Sequence, residues 1–121
     1  MESLHDLLLR RHSIRRYTDS EVDAEQVKCI IEAALLAPSS KSVRPWEFVV
    51  VERREDLERL AACKANGTRP IATCPLAVVV CADPERSDMC IEDMSIAAAY
   101  MQLQVTALGT ILPSFIIILA I

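Results

Sequence analysis

Four arginines and a histidine fall within the seven residues Arg10 to Arg16, with Ser13 among them. The planar fork of a guanidinium matches phosphate oxygens, and a serine hydroxyl adds a neutral donor. The cluster therefore suits a small anionic ligand; a solvated charged turn is the plain alternative. A second cluster is Pro38-Ser39-Ser40-Lys41-Ser42-Val43-Arg44-Pro45-Trp46. Two prolines fix its ends, and the small polar residues between them offer hydroxyls and backbone N–H groups to a ligand. Trp46 anchors it to the core. On local grounds it reads equally well as a helix-to-strand connection.

Other chemistries find less support. The only glycines are Gly67 and Gly109, so a Rossmann fingerprint and a P-loop are absent. Neither His5 nor His12 has the partners of a nucleophilic triad, and no Cys-x-x-Cys or zinc-like Cys/His spacing occurs. An enzyme built on this chain would take its chemistry from a cofactor. The five cysteines (Cys29, Cys63, Cys74, Cys81 and Cys90) are odd in number and read as reduced, mostly packed thiols of a cytoplasmic protein. The N-terminal residues carry acid early and no apolar stretch, unlike a secretory signal.

At 121 residues, the chain has room for one domain. Its net charge of −4 argues against a surface built for nucleic acid. Mean hydropathy is +0.27. All charged residues lie between Glu2 and Asp93, whereas 20 of the last 28 residues are hydrophobic.

The elements that must carry the two clusters follow from periodicity. Ser3 and Asp6 form an acidic capping pattern ahead of Leu4, Leu7 and Leu8, predicting a helix from about Ser3 to Arg11. Asp23 and Gln26 form a capping box for a second helix, with Val27, Ile30, Ile31, Ala34 and Leu35 on its apolar stripe and Pro38 beyond its end. Trp46 to Glu52 reads as a buried strand and Arg54 to Lys64 as an amphipathic surface helix. The continuous apolar run Leu76 to Ala82 predicts a central strand covered on both faces. A last helix carries Glu92 and Asp93 in its first turn and Ile91, Met94, Ala98, Met101, Val105 and Leu108 on one stripe. Gly109 takes its C′ position. The order is α-α-β-α-β-α.

Taken together, in this order and spacing, the two clusters resemble the nitroreductase family of flavin enzymes. Arg11-His12-Ser13-Ile14-Arg15-Arg16-Tyr17 is similar to its Arg-Arg/His-Ser-x-Arg-x-Tyr/Phe signature. Ala37 to Trp46 is similar to its Ala-Pro-Ser-x-x-Asn-x-x-Pro-Trp motif. The strand entry at Cys74-Pro75-Leu76 and the helix opening Glu92-Asp93-Met94 also fit, so the resemblance covers about residues 3–109. It implies an α+β nitroreductase-like fold, with a central, mainly antiparallel sheet flanked by helices and incomplete at the C-terminus. Residues 1–109 would form the FMN-binding part and residues 110–121 an atypical apolar tail.

By the same resemblance, Arg11, His12, Ser13 and Arg15 would hold the FMN phosphate and ribityl chain. Pro38, Ser39 and Ser40 would pack at the flavin ring from a second subunit, and Lys41 would lie near the substrate opening. The implied activity is ping-pong transfer of electrons from NAD(P)H to nitroaromatics, quinones or similar acceptors, borne by the flavin with no catalytic protein residue and no metal. The implied assembly is a homodimer. An alternative is a catalytically impaired member that acts at most as a weak flavin-binding or interaction protein. Two departures stand out. Ser42 replaces the family's common asparagine, so that contact is not carried over. Beyond Gly109, Thr110-Ile111-Leu112-Pro113-Ser114 and a run of isoleucines stand where the family has Gly-x-Gly-Ser/Thr.

The tail Phe115 to Ile121 is apolar and β-branched, which leaves a core strand, an aggregation-prone segment and part of a membrane anchor open. As one helix, Met94 to Ile121 would be about 42 Å long at ~1.5 Å per residue, enough to cross a bilayer core of about 30 Å. Gln102, Gln104, Gly109 and Pro113 argue against insertion.

Overall fold

The segment Leu76–Ala82 (β2) forms the middle of a three-stranded sheet in a computed structural model of the chain. The structure describes residues 2–11, 23–63, 66, 69–109 and 115–120. Trp46–Val51 (β1) pairs antiparallel with β2, from Trp46 opposite Ala82 to Val51 opposite Ala77. Phe115–Ala120 (β3) pairs parallel with it on the other side, Leu76 opposite Phe115. The sheet is thus mixed, and the parallel pair needs a crossover connection. That crossover is the long helix Cys90–Ala107.

The remaining helices are Leu4–Arg10 (α1), Ala24–Leu35 (α2), Arg54–Ala61 (α3) and Arg69–Thr73 (α4), so Cys90–Ala107 is α5. Both expected capping boxes are present: Ser3 with Asp6 on α1, and Asp23 with Gln26 on α2. Each side-chain oxygen receives an otherwise unpaired N–H of the first helical turn. Gly109 follows α5 with φ +74°, the left-handed backbone that glycine tolerates. α5 therefore stops short of the tail, and 115–120 joins the sheet. Among the described residues, no helix is long and apolar enough to cross a membrane. The short α4 and a 3-10 turn at Ser40–Ser42 were not apparent from periodicity.

Alternation along β2 explains its uninterrupted hydrophobicity. Leu76, Val78 and Val80 face α2 and α5, where they pack with Ile30, Ala34, Trp46, Met94, Ala97 and Met101. Ala77 faces the opposite side and packs with Leu57 and Cys74. A strand covered on both faces has no polar side to show in its sequence. Two residues expected on buried stripes point outward instead: Leu35 is 49% exposed and Ile91 is 60% exposed. The inward line of α2 runs through Ile30 and Ala34, and that of α5 through Cys90, Met94, Ala97 and Met101. Leu35 and Ile91 each stand one residue, about 100° of helical turn, beyond those lines.

Candidate functional site

The first cluster begins where α1 ends. Arg10 is already engaged: its Nε and Nη2 donate to the two carboxylate oxygens of Glu2 at 2.8 and 2.6 Å, and Nη2 also donates to the Thr106 carbonyl at 2.8 Å. That carbonyl, which also accepts from Gly109 N–H at 3.1 Å, lies in the last turn of α5, where a cation suits the helix dipole. The hydrogen bond from Arg10 holds the Glu2 carboxyl below its usual range, and Glu2 in turn raises Arg10. Arg10 is thus a fastener between α1 and α5. Arg11 differs. Its backbone N–H caps α1 by donating to Leu7 O at 2.9 Å, while its half-buried side chain makes no hydrogen bond or ion pair among the described residues. The other expected phosphate contacts, His12, Ser13 and Arg15, lie outside the described residues.

The second cluster forms a tight loop between α2 and β1. Pro38 is exposed, Ser39 and Ser40 are half-buried, and Lys41 and Ser42 are exposed. Lys41, Ser42 and Arg44 have φ of 53°, 55° and 50°, three non-glycine residues in the left-handed region within four positions. Such residues are held there only by strong surrounding restraints. Two come from the segment after β2: Asp83 N–H donates to Pro45 O at 3.3 Å, and Arg86 Nη2 donates to Val43 O at 3.2 Å. Trp46 anchors the far end, 7% exposed, its ring centroid 5.1 Å from that of Phe48. Its Nε1 is buried without a hydrogen-bond partner among the described residues.

The residue that meets the loop from inside was not among the expected site residues. Asp93, in the first turn of α5, is 2% exposed. Its Oδ2 accepts from Ser39 Oγ at 2.6 Å and its Oδ1 from Ser40 N–H at 3.2 Å. Ser39 Oγ in turn accepts from Arg44 N–H at 2.9 Å. The signal was present in the sequence: Asp93 stands four residues before Ala97 and eight before Met101, on the inward line of its helix. A carboxylate there demands donors. The Ser40 and Ser42 hydroxyls and the Lys41 ammonium make no hydrogen bond among the described residues, so these groups remain for a ligand.

Arg10, at the start of the first cluster, and the serine loop meet opposite ends of α5. Asp93 holds the loop at one end, and Arg10 docks on Thr106 at the other, thirteen residues on. At ~1.5 Å per residue the separation is about 20 Å along the helix axis. On its exposed side α5 carries Ile91, Ser95, Ile96, Ala99, Tyr100 and Gln102, with Glu92 as the one charged residue of that side.

Comparison with known proteins bears on what this arrangement serves. A family model described as the nitroreductase family matches residues 8–86. A relative from Archaeoglobus fulgidus, named as an NADH dehydrogenase/NAD(P)H nitroreductase, is 36% identical over 113 residues, 90% of this chain and 64% of the relative. A Bacillus subtilis protein named as an NAD(P)H FMN reductase is 34% identical over 87 residues, 72% of this chain and 34% of that protein. A solved FMN-dependent nitroreductase of Clostridium difficile R20291 is similar at a TM-score of 0.82 and 50% identity, over 85% of this chain and 60% of its own.

Proposed function

The chain belongs to the nitroreductase family, and from that premise we propose that it is an FMN-dependent oxidoreductase that passes electrons from NAD(P)H to nitroaromatics, quinones or similar acceptors, as a homodimer. The observation that carries this is the separation of the two donor clusters at opposite ends of α5. That separation supports a flavin shared between two chains, the arginine end of one beside the serine loop of the other. The apolar outward face of α5, with Ile96 37% and Tyr100 39% exposed, is the surface such a pairing would cover.

The residues present fit this cofactor. Arg11, with no acidic partner among the described residues, would neutralise the phosphate, together with Ser13, His12 and Arg15 of the same motif. Pro38, Ser39 and Ser40 of the partner's loop would shape the ring pocket, and Lys41 would stand at the substrate opening. Asp93, turned inward and held by two donors, keeps its negative charge from the anionic ligand. When bound, FMN supplies the two-electron exchange between nicotinamide and acceptor, and the protein supplies binding, orientation and exclusion of water. A cytoplasmic location is part of the proposal, resting on five cysteines without disulfide spacing.

The test is direct. Purified protein is expected to be yellow, to release FMN and not FAD on denaturation, and to oxidise NAD(P)H when an acceptor is added. Protein that stays colourless after incubation with FMN would overturn the binding claim. Weak, reversible FMN uptake without turnover would favour the alternative of an impaired member acting as a weak flavin-binding or interaction protein.

A further inference from the structure

We infer that Asp93 is a positioning residue: from inside the first turn of α5 it holds Ser39 and Ser40 so that the strained loop Lys41–Arg44 presents its remaining polar groups outward. Asp93 is the only charged residue that is fully buried among the described residues. Both of its side-chain hydrogen bonds come from the loop, and none comes from a basic side chain. The carboxylate can stay buried only while the loop supplies those donors, and the loop keeps its shape only while the carboxylate receives them.

The same geometry assigns Ser39 a different part from its neighbours. A serine hydroxyl has one hydrogen, and Ser39 gives it to Asp93 while one lone pair takes the Arg44 N–H. Ser39 therefore has no donor left for a ligand and acts by tying Asp93 to Arg44, the last of the three left-handed residues. Contact falls to the groups this tie leaves outward: the hydroxyls of Ser40 and Ser42 and the ammonium of Lys41. That these groups meet a flavin rests on the function proposed above; the tie itself does not.

Trypsin cleavage after the exposed Lys41 reads the loop directly in the full chain without FMN, with cleavage after Lys28 in α2 as an internal reference. Asp93→Ala and Ser39→Ala are each expected to raise Lys41 cleavage relative to Lys28 cleavage by roughly ten-fold or more, the scale of the two hydrogen bonds each variant removes. Ser39→Thr keeps the hydroxyl at an extended position (φ −133°, ψ 140°) that a β-branched residue accepts, and is expected to restore the parent ratio. FMN titration of the same proteins should show the dissociation constant rising by a similar factor in the alanine variants and recovering in Ser39→Thr. If Lys41 and Lys28 cleavage rise together, or Ser39→Thr behaves as Ser39→Ala, the positioning role is overturned. If Asp93→Ala fails to fold, the Ser39 pair decides alone. If the cleavage ratios follow expectation but the parent binds no FMN, the positioning role stands and the flavin reading falls.

Discussion

Arg10 and Arg11 are neighbours of the same type with different work. Arg10 is held by Glu2 and the Thr106 carbonyl, whereas the Arg11 side chain has no partner among the described residues. Arg11→Ala is expected to weaken FMN binding about ten- to a hundred-fold, the loss of one charge-assisted hydrogen bond of about 1.5–3 kcal/mol. Arg10→Ala should instead lower the melting temperature by loosening α1 from α5. Parallel FMN titration and thermal melting of the two variants separates the roles. Equal FMN affinity in Arg11→Ala and the parent would return this end of the cluster to a solvated turn. Asp6 offers a check on α1 itself. The Ser3 hydroxyl and N–H hold its carboxyl below the usual range. A depressed carboxyl contributes stability above its unfolded pKa and loses it as pH falls through the folded value. An NMR titration should therefore give Asp6 a midpoint below the ordinary aspartate value of about 3.9, and the α1 cap should persist until that lower pH.

At the scale of elements, α5 organises the rest. Its inward line packs against the sheet and α2, its first turn holds the serine loop, and its last turn receives Arg10. Met101 closes that line and is fully buried in one cluster with Val78, Val80 and Ile30. Met101→Ala is expected to destabilise the fold by about 2–5 kcal/mol through lost burial and the cavity left behind. Urea denaturation measures this; a loss under 1 kcal/mol would mean that the centre of α5 repacks freely. The loop tied to Asp93 shows why the element matters to function: its three left-handed residues depend on restraints that α5 and the segment after β2 supply.

The whole molecule leaves one face of α5 and the Leu4, Leu8 and Leu9 side chains of α1 uncovered. Single exposed leucines are ordinary, whereas the largely apolar face of α5 is the surface that the proposed dimer would bury. Ile96→Glu is expected to convert the proposed dimer to monomer and to abolish FMN retention with it, since each site would draw on both chains. Light scattering coupled to size exclusion reads the first effect and absorbance at the flavin band the second. A monomer that keeps its flavin would mean that one chain completes the site.

Much was legible from the chain because local rules govern it. The capping residues Ser3 and Asp23, the alternation-free run of β2, Gly109 at the end of α5 and the order of the two motifs all depend on near neighbours or on periodicity. What depended on distant partners was not legible. Arg10 and Arg11 look alike until the end of α5 arrives at one of them, and Leu35 and Ile91 look buried until the packing lines are drawn. The crossover helix α5 was legible, but that 115–120 returns beside β2 and runs parallel to it is fixed by no local pattern. Asp93 is the sharpest case: its periodicity pointed inward, but the donors that let a carboxylate rest there come from residues more than fifty positions away. Hydrogen bonds between remote segments are decided by tertiary structure, because only there do the donor and the acceptor share a place without water.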